Sequence, residues 1–169
     1  MELSFLHAIQ LIRNPIFDAV MVFFSTAGNR GLIWIIIGLT FLCIKKYRKC
    51  GIIVLLSLFA SVLFGNTILK HVVERSRPCW VDTSVSLLIA NPRDYSFPSG
   101  HTFSSFAAAT SIYLNQKEMG KMAYVLAATI AFSRLYLFVH YPTDVFAGAI
   151  LGALTAFIIT KLCNRYLVM

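Results

Sequence analysis

One uncharged apolar run, CGIIVLLSLFASVLFGNTIL at residues 50–69, constrains the fold more than any other feature of this sequence. A helix of that length extends about 30 Å, which is the thickness of the hydrocarbon core of a bilayer. Hydrophobic residues make up 58% of the 169-residue chain, and its mean hydropathy is +0.74. Because soluble domains average about half apolar residues, the sequence predicts a membrane-embedded protein instead of a water-soluble one.

Charged residues cluster between further apolar runs, as loops do between membrane spans. Asn14 followed by Pro15 indicates a helix start, since asparagine caps the helix and proline needs no amide donor in the first turn. The sequence predicts one all-α domain, residues 1–169, that forms a bundle of six transmembrane helices. The predicted spans cover residues 15–27, 32–44, 50–69, 99–115, 122–139 and 142–160.

Three further segments have a predicted conformation. Hydrophobic residues recur at helical spacing near the start of the chain, which predicts a short N-terminal helix lying in the membrane interface; they are Leu3, Leu6, Ile9 and Ile12. Residues 28–31, GNRG, indicate a turn, and residues 78–97 form the longest irregular connection. The first residues lack the basic start of a cleaved signal peptide.

Basic residues between the spans predict the orientation. Positive charge follows every even-numbered span and precedes the first one: KKYRK at residues 45–49, Lys117, Lys121, Lys161, Arg165 and Arg13. Loops rich in lysine and arginine stay cytoplasmic, so both termini are expected on the cytoplasmic side of the cell membrane. The opposite, extracytoplasmic face then receives all the unusual polar residues.

Two other features bear on partners and packing. The net charge of +8 does not indicate nucleic acid, because the chain has no basic helix face and no zinc-finger spacing. Gly148 and Gly152 form a GxxxG pattern that favours close helix packing inside one bundle, with dimerisation as the alternative.

Two cations near the end of the third span are candidates for binding a phosphate. Lys70 and Arg77 are seven residues apart, which in a helix places them on nearly the same face about 10 Å apart. Pro78 predicts that the helix ends just before Arg77. For Lys70 alone, snorkelling to the interface is the alternative, and Arg75 is a lesser candidate that Glu74 can satisfy.

The segment FPSGH at residues 97–101 predicts an anion site at a helix start. Free amides of the first turn and the helix dipole attract an anion, and Gly100 lets an oxygen approach the backbone. Ser99 is expected to cap the helix or contact the ligand, and His101 can donate a proton to a leaving oxygen. A plain capped helix is the alternative for this segment alone.

Arg134 lies within the fifth span, where a charged side chain costs roughly 2 to 3 kcal/mol unless it faces a partner or a wet cavity. His140 follows, and Asp144 lies four residues beyond it. That spacing lets the carboxylate accept a hydrogen bond from one ring nitrogen and leave the other as a nucleophile. His7 and His71 have no such neighbours and are expected to take no part.

Three of these segments together resemble the signature motifs of the type 2 phosphatidic acid phosphatase family. They are KHVVERSRP at residues 70–78, PSGH at 98–101 and SRLYLFVHYPTD at 133–144. The resemblance implies an integral membrane lipid phosphatase that works through a phosphohistidine, with no metal and no cofactor. The related vanadate-dependent haloperoxidases share these motifs, but those are larger soluble proteins.

The resemblance also implies a role for each polar residue. His140 would attack phosphorus, Asp144 would orient it, and His101 would protonate the leaving group and then activate water. The phosphoryl oxygens would be held by Lys70, Arg77, Ser99, Gly100 and Arg134.

The expected substrate and partner is a membrane lipid phosphate, with undecaprenyl diphosphate favoured and phosphatidylglycerol phosphate or phosphatidic acid next. Transfer of the phosphoryl group to a lipid or sugar hydroxyl is a second enzymatic hypothesis. A transporter of anionic lipids is the non-enzymatic one, although a histidine pair with an orienting carboxylate favours catalysis. The sequence specifies neither the oligomeric state nor whether residues 78–97 form a lid.

Overall fold

The computed structural model describes residues 1–166, apart from the side chain of Asn66. The last three residues of the predicted domain lie outside this range. The described chain is all-α, as predicted, and has seven helices: α1 (Glu2–Gln10), α2 (Pro15–Ala27), α3 (Leu32–Cys43), α4, α5 (Gly100–Asn115), α6 (Lys117–Tyr136) and α7 (Pro142–Tyr166). Helix α4 is continuous through Arg48–Ser61, a π-helical segment Val62–Leu69, and Lys70–Val73. One further helical turn, Pro78–Val81, follows it.

The start of α2 has the predicted cap. Asn14 Oδ1 accepts a hydrogen bond of 3.0 Å from the amide of Phe17, and Pro15 occupies the first turn. After α2 the chain passes through the turn Asn29–Gly31, where Arg30 and Gly31 have positive φ angles of 52° and 71°. This turn bends the chain by only 49° between α2 and α3, so the two helices form one bent element and not a reversal.

Helix α2 does not cross the bundle by itself. Its 13 residues extend about 20 Å, which is less than the hydrocarbon thickness. Both of its ends contact the final turns of α6, because Tyr136 Oη donates to Asp18 at 2.6 Å and Arg134 Nη1 donates to Ser25 Oγ. The prediction of a separate span at residues 15–27, and with it the count of six spans, is therefore wrong.

Helices α4 and α7 are each long and apolar enough to cross a membrane, and α2 with α3 qualify when they are counted as one span. Helix α5 has 16 residues and packs against α4, α6 and α7. Because protein surrounds it, its buried serines and alanines need not face lipid. The predicted helix at residues 99–115 is thus present as the centre of the bundle.

The end of α4 differs from the prediction. The helix stops at Val73, because Glu74 has a left-handed conformation with φ of 48°. Arg77 lies beyond this break in an extended conformation, which the following proline imposes. The expectation that Lys70 and Arg77 share a helix face is therefore wrong.

Helix α1 was correctly predicted, but the end of the bundle at which it lies was not. Glu2 Oε1 accepts from the amide of Thr143 at 3.1 Å, and Arg13 Nη1 donates to the carbonyl of Ser86 at 3.0 Å. Both contacts are at the end of the bundle where α7 begins, whereas the basic loops and the end of α7 lie at the other end. The prediction that Arg13 and the N-terminus lie on the side of the basic loops is wrong, because Glu2 and Arg13 contact the end of the bundle where α7 begins.

The GxxxG glycines bring the backbones of α7 and α5 together. A Cβ atom on Gly148 would lie 2.9 Å from the carbonyl oxygen of Ser99, and one on Gly152 would lie 2.5 Å from that of Phe103. These contacts confirm the predicted packing inside one bundle. They also seat the start of α5 against the start of α7, where the amide of Ser99 donates to the carbonyl of Asp144 at 3.1 Å.

Candidate active site

A cavity of about 730 Å³ opens at the end of the bundle that holds these helix starts. Six of the eight predicted site residues line it: Lys70, Arg77, Gly100, His101, Arg134 and His140. Ser99 and Asp144 are fully buried behind them. The topology of α4 to α7 thus brings residues that are far apart in sequence to one place.

Three of the lining side chains are cations that are almost completely buried. Lys70, Arg77 and Arg134 have exposed fractions of 4%, 2% and 4%. Buried charges need a counter-charge and hydrogen bonds to be stable. The cavity is therefore built to hold an anion.

Asp94 supplies part of the counter-charge. Its carboxylate accepts a hydrogen bond from Lys70 Nζ and one of 2.8 Å from Arg77 Nη2. Burial alone would raise the pKa of Asp94, but the hydrogen bond from Lys70 and the charge of Arg77 lower it to about 2. Asp94 was not predicted as a site residue, because a single aspartate in an irregular connection carries no spacing signal.

Arg134 has no carboxylate partner among residues 1–166. Its Nη1 donates to Ser25 Oγ, and its Nε is buried without any hydrogen-bond partner in the described part of the chain. An unsatisfied buried donor of a guanidinium is costly. Its position on the cavity wall suits an oxyanion that completes the hydrogen bonding.

The imidazole of His140 is held by Arg77 on one side. His140 Nε2 lies 3.0 Å from Arg77 Nη1, which also donates to the carbonyl of Val139 at 2.7 Å. Burial and then the charge of Arg77 put the pKa of His140 well below its ordinary value. Because arginine can only donate, Nε2 of the neutral ring is the acceptor and the ring proton is on Nδ1. The lone pair of His140 Nε2 therefore accepts from Arg77 at the edge of the cavity.

The other side of His140 faces Asp144 and Ser96. His140 Nδ1 lies 3.6 Å from Asp144 Oδ2, which is too long for the direct hydrogen bond that the sequence predicted. Ser96 Oγ donates to the same carboxylate oxygen at 2.5 Å and lies 3.4 Å from His140 Nδ1. The amide of Tyr141 also donates to Asp144 Oδ2, at 2.9 Å. The ring and the carboxylate are thus neighbours joined through Ser96, a residue that sequence reasoning missed.

His101 contacts the turn between α2 and α3. His101 Nε2 lies 2.9 Å from Asn29 Oδ1, and a Cβ atom on Gly28 would lie 3.1 Å from His101 Cδ2. The side chain of Ser99 does not cap α5, because its hydroxyl accepts from Thr102 Oγ1 at 3.0 Å. The expected serine cap is therefore absent, and Asn29 is a further neighbour of the site that the sequence did not indicate.

The expected pairing of Arg75 with Glu74 does not occur. Its Nη1 donates to Asp144 Oδ1 at 2.6 Å and its Nη2 donates to Glu2 Oε2 at 2.5 Å. The left-handed Glu74 turns the chain so that Arg75 approaches the start of α7.

Apolar side chains from α3 and α4 continue the cavity away from the cations; they are Ile35, Leu55, Leu58, Phe59 and Val62. His7 and His71 do not line it, since His7 contacts Asp82 at 2.8 Å and His71 contacts the carbonyl of Thr67 at 3.0 Å. Within residues 1–166 no cluster of three or more histidine, cysteine, aspartate or glutamate side chains can hold a metal ion.

Comparisons with known proteins agree with this geometry. The family model of the PAP2 superfamily matches residues 51–166. Undecaprenyl-diphosphatase of Sulfolobus acidocaldarius is 34% identical over 142 residues, which are 83% of this chain and 68% of that protein. Phosphatidylglycerophosphatase B of Bacillus subtilis is 32% identical over 162 residues, which are 88% of this chain and 76% of that protein.

A solved structure is similar over nearly the whole chain. The crystal structure of the transmembrane PAP2-type phosphatidylglycerolphosphate phosphatase from Bacillus subtilis superposes with a TM-score of 0.77 and 27% identity, covering 99% of this chain and 87% of that one. The residues that the family model matches, 51–166, include every polar side chain that the part of the chain from α4 to α7 contributes to the cavity. The chain belongs to the PAP2 superfamily of membrane lipid phosphatases.

Proposed function

We propose that this protein hydrolyses undecaprenyl diphosphate, or a related lipid phosphate, through a phosphohistidine on His140. One observation carries the proposal: Nε2 of the buried imidazole of His140, which accepts from Arg77, lies beside a cavity with three buried cations. Phosphoryl transfer depends mainly on positioning and on neutralising the charge of the phosphoryl oxygens. Lys70, Arg77 and Arg134 supply that charge, so the reaction needs no metal.

The reaction has two steps. In the first, the phosphoryl oxygens take over the hydrogen bond from Arg77, which frees the lone pair of His140 Nε2. Nε2 then attacks phosphorus, the bond to the leaving oxygen breaks, and His101 gives that oxygen a proton. In the second, His101 takes a proton from water, the oxygen attacks the phosphohistidine, and inorganic phosphate leaves while His140 regains its lone pair. Asp144, through Ser96, keeps the Nδ1 proton in place during both steps. Ser99 and Gly100 shape the backbone at the start of α5, where amides can contact the phosphoryl oxygens.

The choice of substrate is supported by the relatives and by the shape of the cavity. The similarity to undecaprenyl-diphosphatase of Sulfolobus acidocaldarius supports a prenyl diphosphate as the substrate of this protein. The similarity to phosphatidylglycerophosphatase B of Bacillus subtilis supports phosphatidylglycerol phosphate as the second candidate. Phosphatidic acid is the third. The apolar wall made by Ile35, Leu55 and Phe59 suits the first part of a lipid tail whose headgroup lies among the cations.

We also propose the orientation in the membrane. Lysine and arginine are frequent at the end of the bundle opposite the cavity, at residues 45–49, 117–121 and 161–165, which favours a cytoplasmic location for that end. The cavity and α1 are then extracytoplasmic in the cell membrane. Five crossings, made by α2 with α3, α4, α5, α6 and α7, satisfy this arrangement.

Phosphate release from defined lipids tests the function. Purified protein in detergent with EDTA should release phosphate from undecaprenyl diphosphate faster than from phosphatidylglycerol phosphate or phosphatidic acid. His140→Ala should abolish release, whereas His71→Ala, a matched change of a histidine that does not line the cavity, should not. Activity that survives His140→Ala would refute the nucleophile.

Two further assays distinguish hydrolysis from phosphoryl transfer and from lipid transport. A phosphotransferase would place the phosphate on an added alcohol instead of releasing it, which product analysis with a lipid or sugar hydroxyl would detect. A transporter would move anionic lipid across liposomes without releasing phosphate. Either result would replace hydrolysis as the assigned function.

A further inference from the structure

We propose that Arg75 is a positioning residue for phosphoryl transfer, which fixes Asp144 and through it the ring of His140, and that Glu2 of α1 holds Arg75 in place. The inference rests on the proposed function, because it assumes that His140 is the nucleophile. It adds the N-terminal helix to the parts of the fold on which the reaction depends.

Arg75 bridges two carboxylates that are distant in sequence. Its Nη1 donates to Asp144 Oδ1 at 2.6 Å and to Thr143 Oγ1 at 2.6 Å. Its Nη2 donates to Glu2 Oε2 at 2.5 Å. A planar guanidinium can serve two carboxylates in one fixed geometry, which an ammonium cannot.

Two further contacts fix the orientation of Arg75. Its guanidinium carbon lies 4.0 Å from the centroid of the Tyr141 ring, so the aromatic face stacks against the cation. The carbonyl of Arg75 accepts from the amide of Ser96 at 2.8 Å. Arg75 therefore holds both the carboxylate and the backbone of the serine that lie beside His140.

Asp144 depends on Arg75 for its charge balance. The carboxylate is fully buried, and a buried carboxylate without a counter-charge is strongly unfavourable. Oδ2 accepts from Ser96 and from the amide of Tyr141. Oδ1 has Arg75 as its only hydrogen-bond partner within residues 1–166. Loss of Arg75 would leave Oδ1 unsatisfied and remove the contact that fixes the orientation of the carboxylate beside His140.

Glu2 links α1 to this arrangement. While Oε2 accepts from Arg75, Oε1 accepts from the amide and the hydroxyl of Thr143 at 3.1 and 2.7 Å. The amide of Thr143 is one of the free donors of the first turn of α7. Glu2 thus fixes Arg75 and the start of the helix that carries Asp144 at the same time.

The charges around His140 predict that loss of Arg75 and loss of Glu2 shift the titration of the His140 ring in opposite directions. The ring and Asp144 are surrounded by Lys70, Arg75, Arg77, Asp94, His101, Arg134 and Glu2. Removing the positive charge of Arg75 lets Asp144 stabilise protonated His140, so the ring should titrate at higher pH. Removing the negative charge of Glu2 leaves Arg75 uncompensated, so the ring should titrate at slightly lower pH.

Variants at these positions test the inference by kinetics. Arg75→Gln should lower kcat by about tenfold to a hundredfold, the usual effect of losing a charged hydrogen bond, with KM changed by less than about threefold because the phosphate contacts remain. Arg75→Lys should recover part of kcat, and Glu2→Gln should have a smaller effect than Arg75→Gln. Asp82→Asn is the control, because Asp82 contacts α1 through His7 at 2.8 Å and does not contact Asp144.

Histidine titration by ¹⁵N NMR gives a readout that does not need turnover. The signal of His140 is assigned as the one that is missing in His140→Asn. The pH midpoint of its titration should be higher in Arg75→Gln than in wild type and unchanged in Asp82→Asn. An unchanged titration and an unchanged kcat in folded Arg75→Gln would overturn the inference. So would equal losses in Arg75→Gln and Asp82→Asn, since these would show that only the docking of α1 matters. If wild type hydrolyses no lipid phosphate, the proposed function fails, and the NMR titration still decides whether Arg75 acts on His140.

Discussion

The carboxylate of Asp94 is hydrogen-bonded to the guanidinium of Arg77, with 2.8 Å between Oδ1 and Nη2. Its other oxygen accepts from Lys70 Nζ. Both cations are expected to bind the phosphoryl group, so Asp94 occupies a position where phosphoryl oxygens would bind. The side chain of Asp94 is 58% exposed, and it can rotate outward when a phosphate enters.

Asp94→Asn should therefore strengthen phosphate binding. The substitution removes a competing charge, while Arg77 Nε and Lys70 Nζ still bind the carbonyls of residue 94 and Tyr95 at 2.7 and 3.0 Å. The inhibition constant for inorganic phosphate should fall by about tenfold, the effect of one charged hydrogen bond, and KM should fall with it. Steady-state kinetics with phosphate as inhibitor measure both constants.

Asp94→Glu, which keeps the charge, and Asp82→Asn, a second aspartate of the same connection, serve as controls for this experiment. Weaker inhibition by phosphate in Asp94→Asn would mean that the carboxylate holds Lys70 and Arg77 in their binding positions instead of competing with the substrate.

Ser96→Ala should impair the chemical step. The hydroxyl donates to Asp144 Oδ2 at 2.5 Å and lies next to His140 Nδ1, so its loss removes the link that orients the ring. We expect kcat to fall by about tenfold with little change in KM. Ser86→Ala is the matched control in the same connection, because Ser86 is exposed and its side chain makes no hydrogen bond within the described residues. Equal kcat values for the two variants would remove Ser96 from the mechanism.

The pH dependence follows from the environment of His140. Burial and the charges of Arg77, Arg134 and Lys70 put the pKa of His140 well below its ordinary value. A base with a lowered pKa stays neutral, and therefore nucleophilic, until the pH falls below that pKa. The acidic limb of kcat/KM, which reports the free enzyme, should lie below about 6.5, the unperturbed value for histidine. A limb above that value would contradict a neutral nucleophile.

The grouping of the candidate site residues could be predicted largely from sequence, because the cations and histidines have unusual positions. Arg134 within an apolar helix and the pair His140 and Asp144 at one helical turn are informative on their own. Asp94 and Ser96 could not be found in this way, since both lie on an irregular connection without periodicity. The partner of Arg75 is Glu2, which is distant in sequence, and no local pattern could indicate it.

The fold shows a similar division. The presence of the helices and the start of α2 followed from apolar length and from capping, as the cap of Asn14 on α2 illustrates, although α6 begins at Lys117 and ends at Tyr136 instead of covering residues 122–139. The path of the chain between α2 and α3 could not be predicted, because apolar length alone cannot distinguish a reversal from the observed bend of 49°. The left-handed φ of Arg30 allows that bend, although arginine is a residue that rarely adopts it.

Gly152→Ala should destabilise the protein by separating the two helices that carry the site. A Cβ atom there would lie 2.5 Å from the carbonyl oxygen of Phe103 and 2.8 Å from the amide nitrogen of Ala107, and backbone atoms of a central helix cannot yield easily. Overpacking of this kind costs about 1 to 3 kcal/mol, which lowers the thermal midpoint in detergent by several degrees.

The control for Gly152→Ala is Leu154→Ala on the lipid-facing side of the same helix, where the side chain is 53% exposed and little change is expected. Light scattering after size-exclusion chromatography checks the alternative reading of the GxxxG pattern. If the glycines mediated dimerisation, Gly152→Ala would change the mass of the particle and leave its thermal midpoint unchanged. Because Gly152 contacts α5 of its own chain, we expect the opposite result, and we expect kcat to fall as the start of α5 moves away from Asp144.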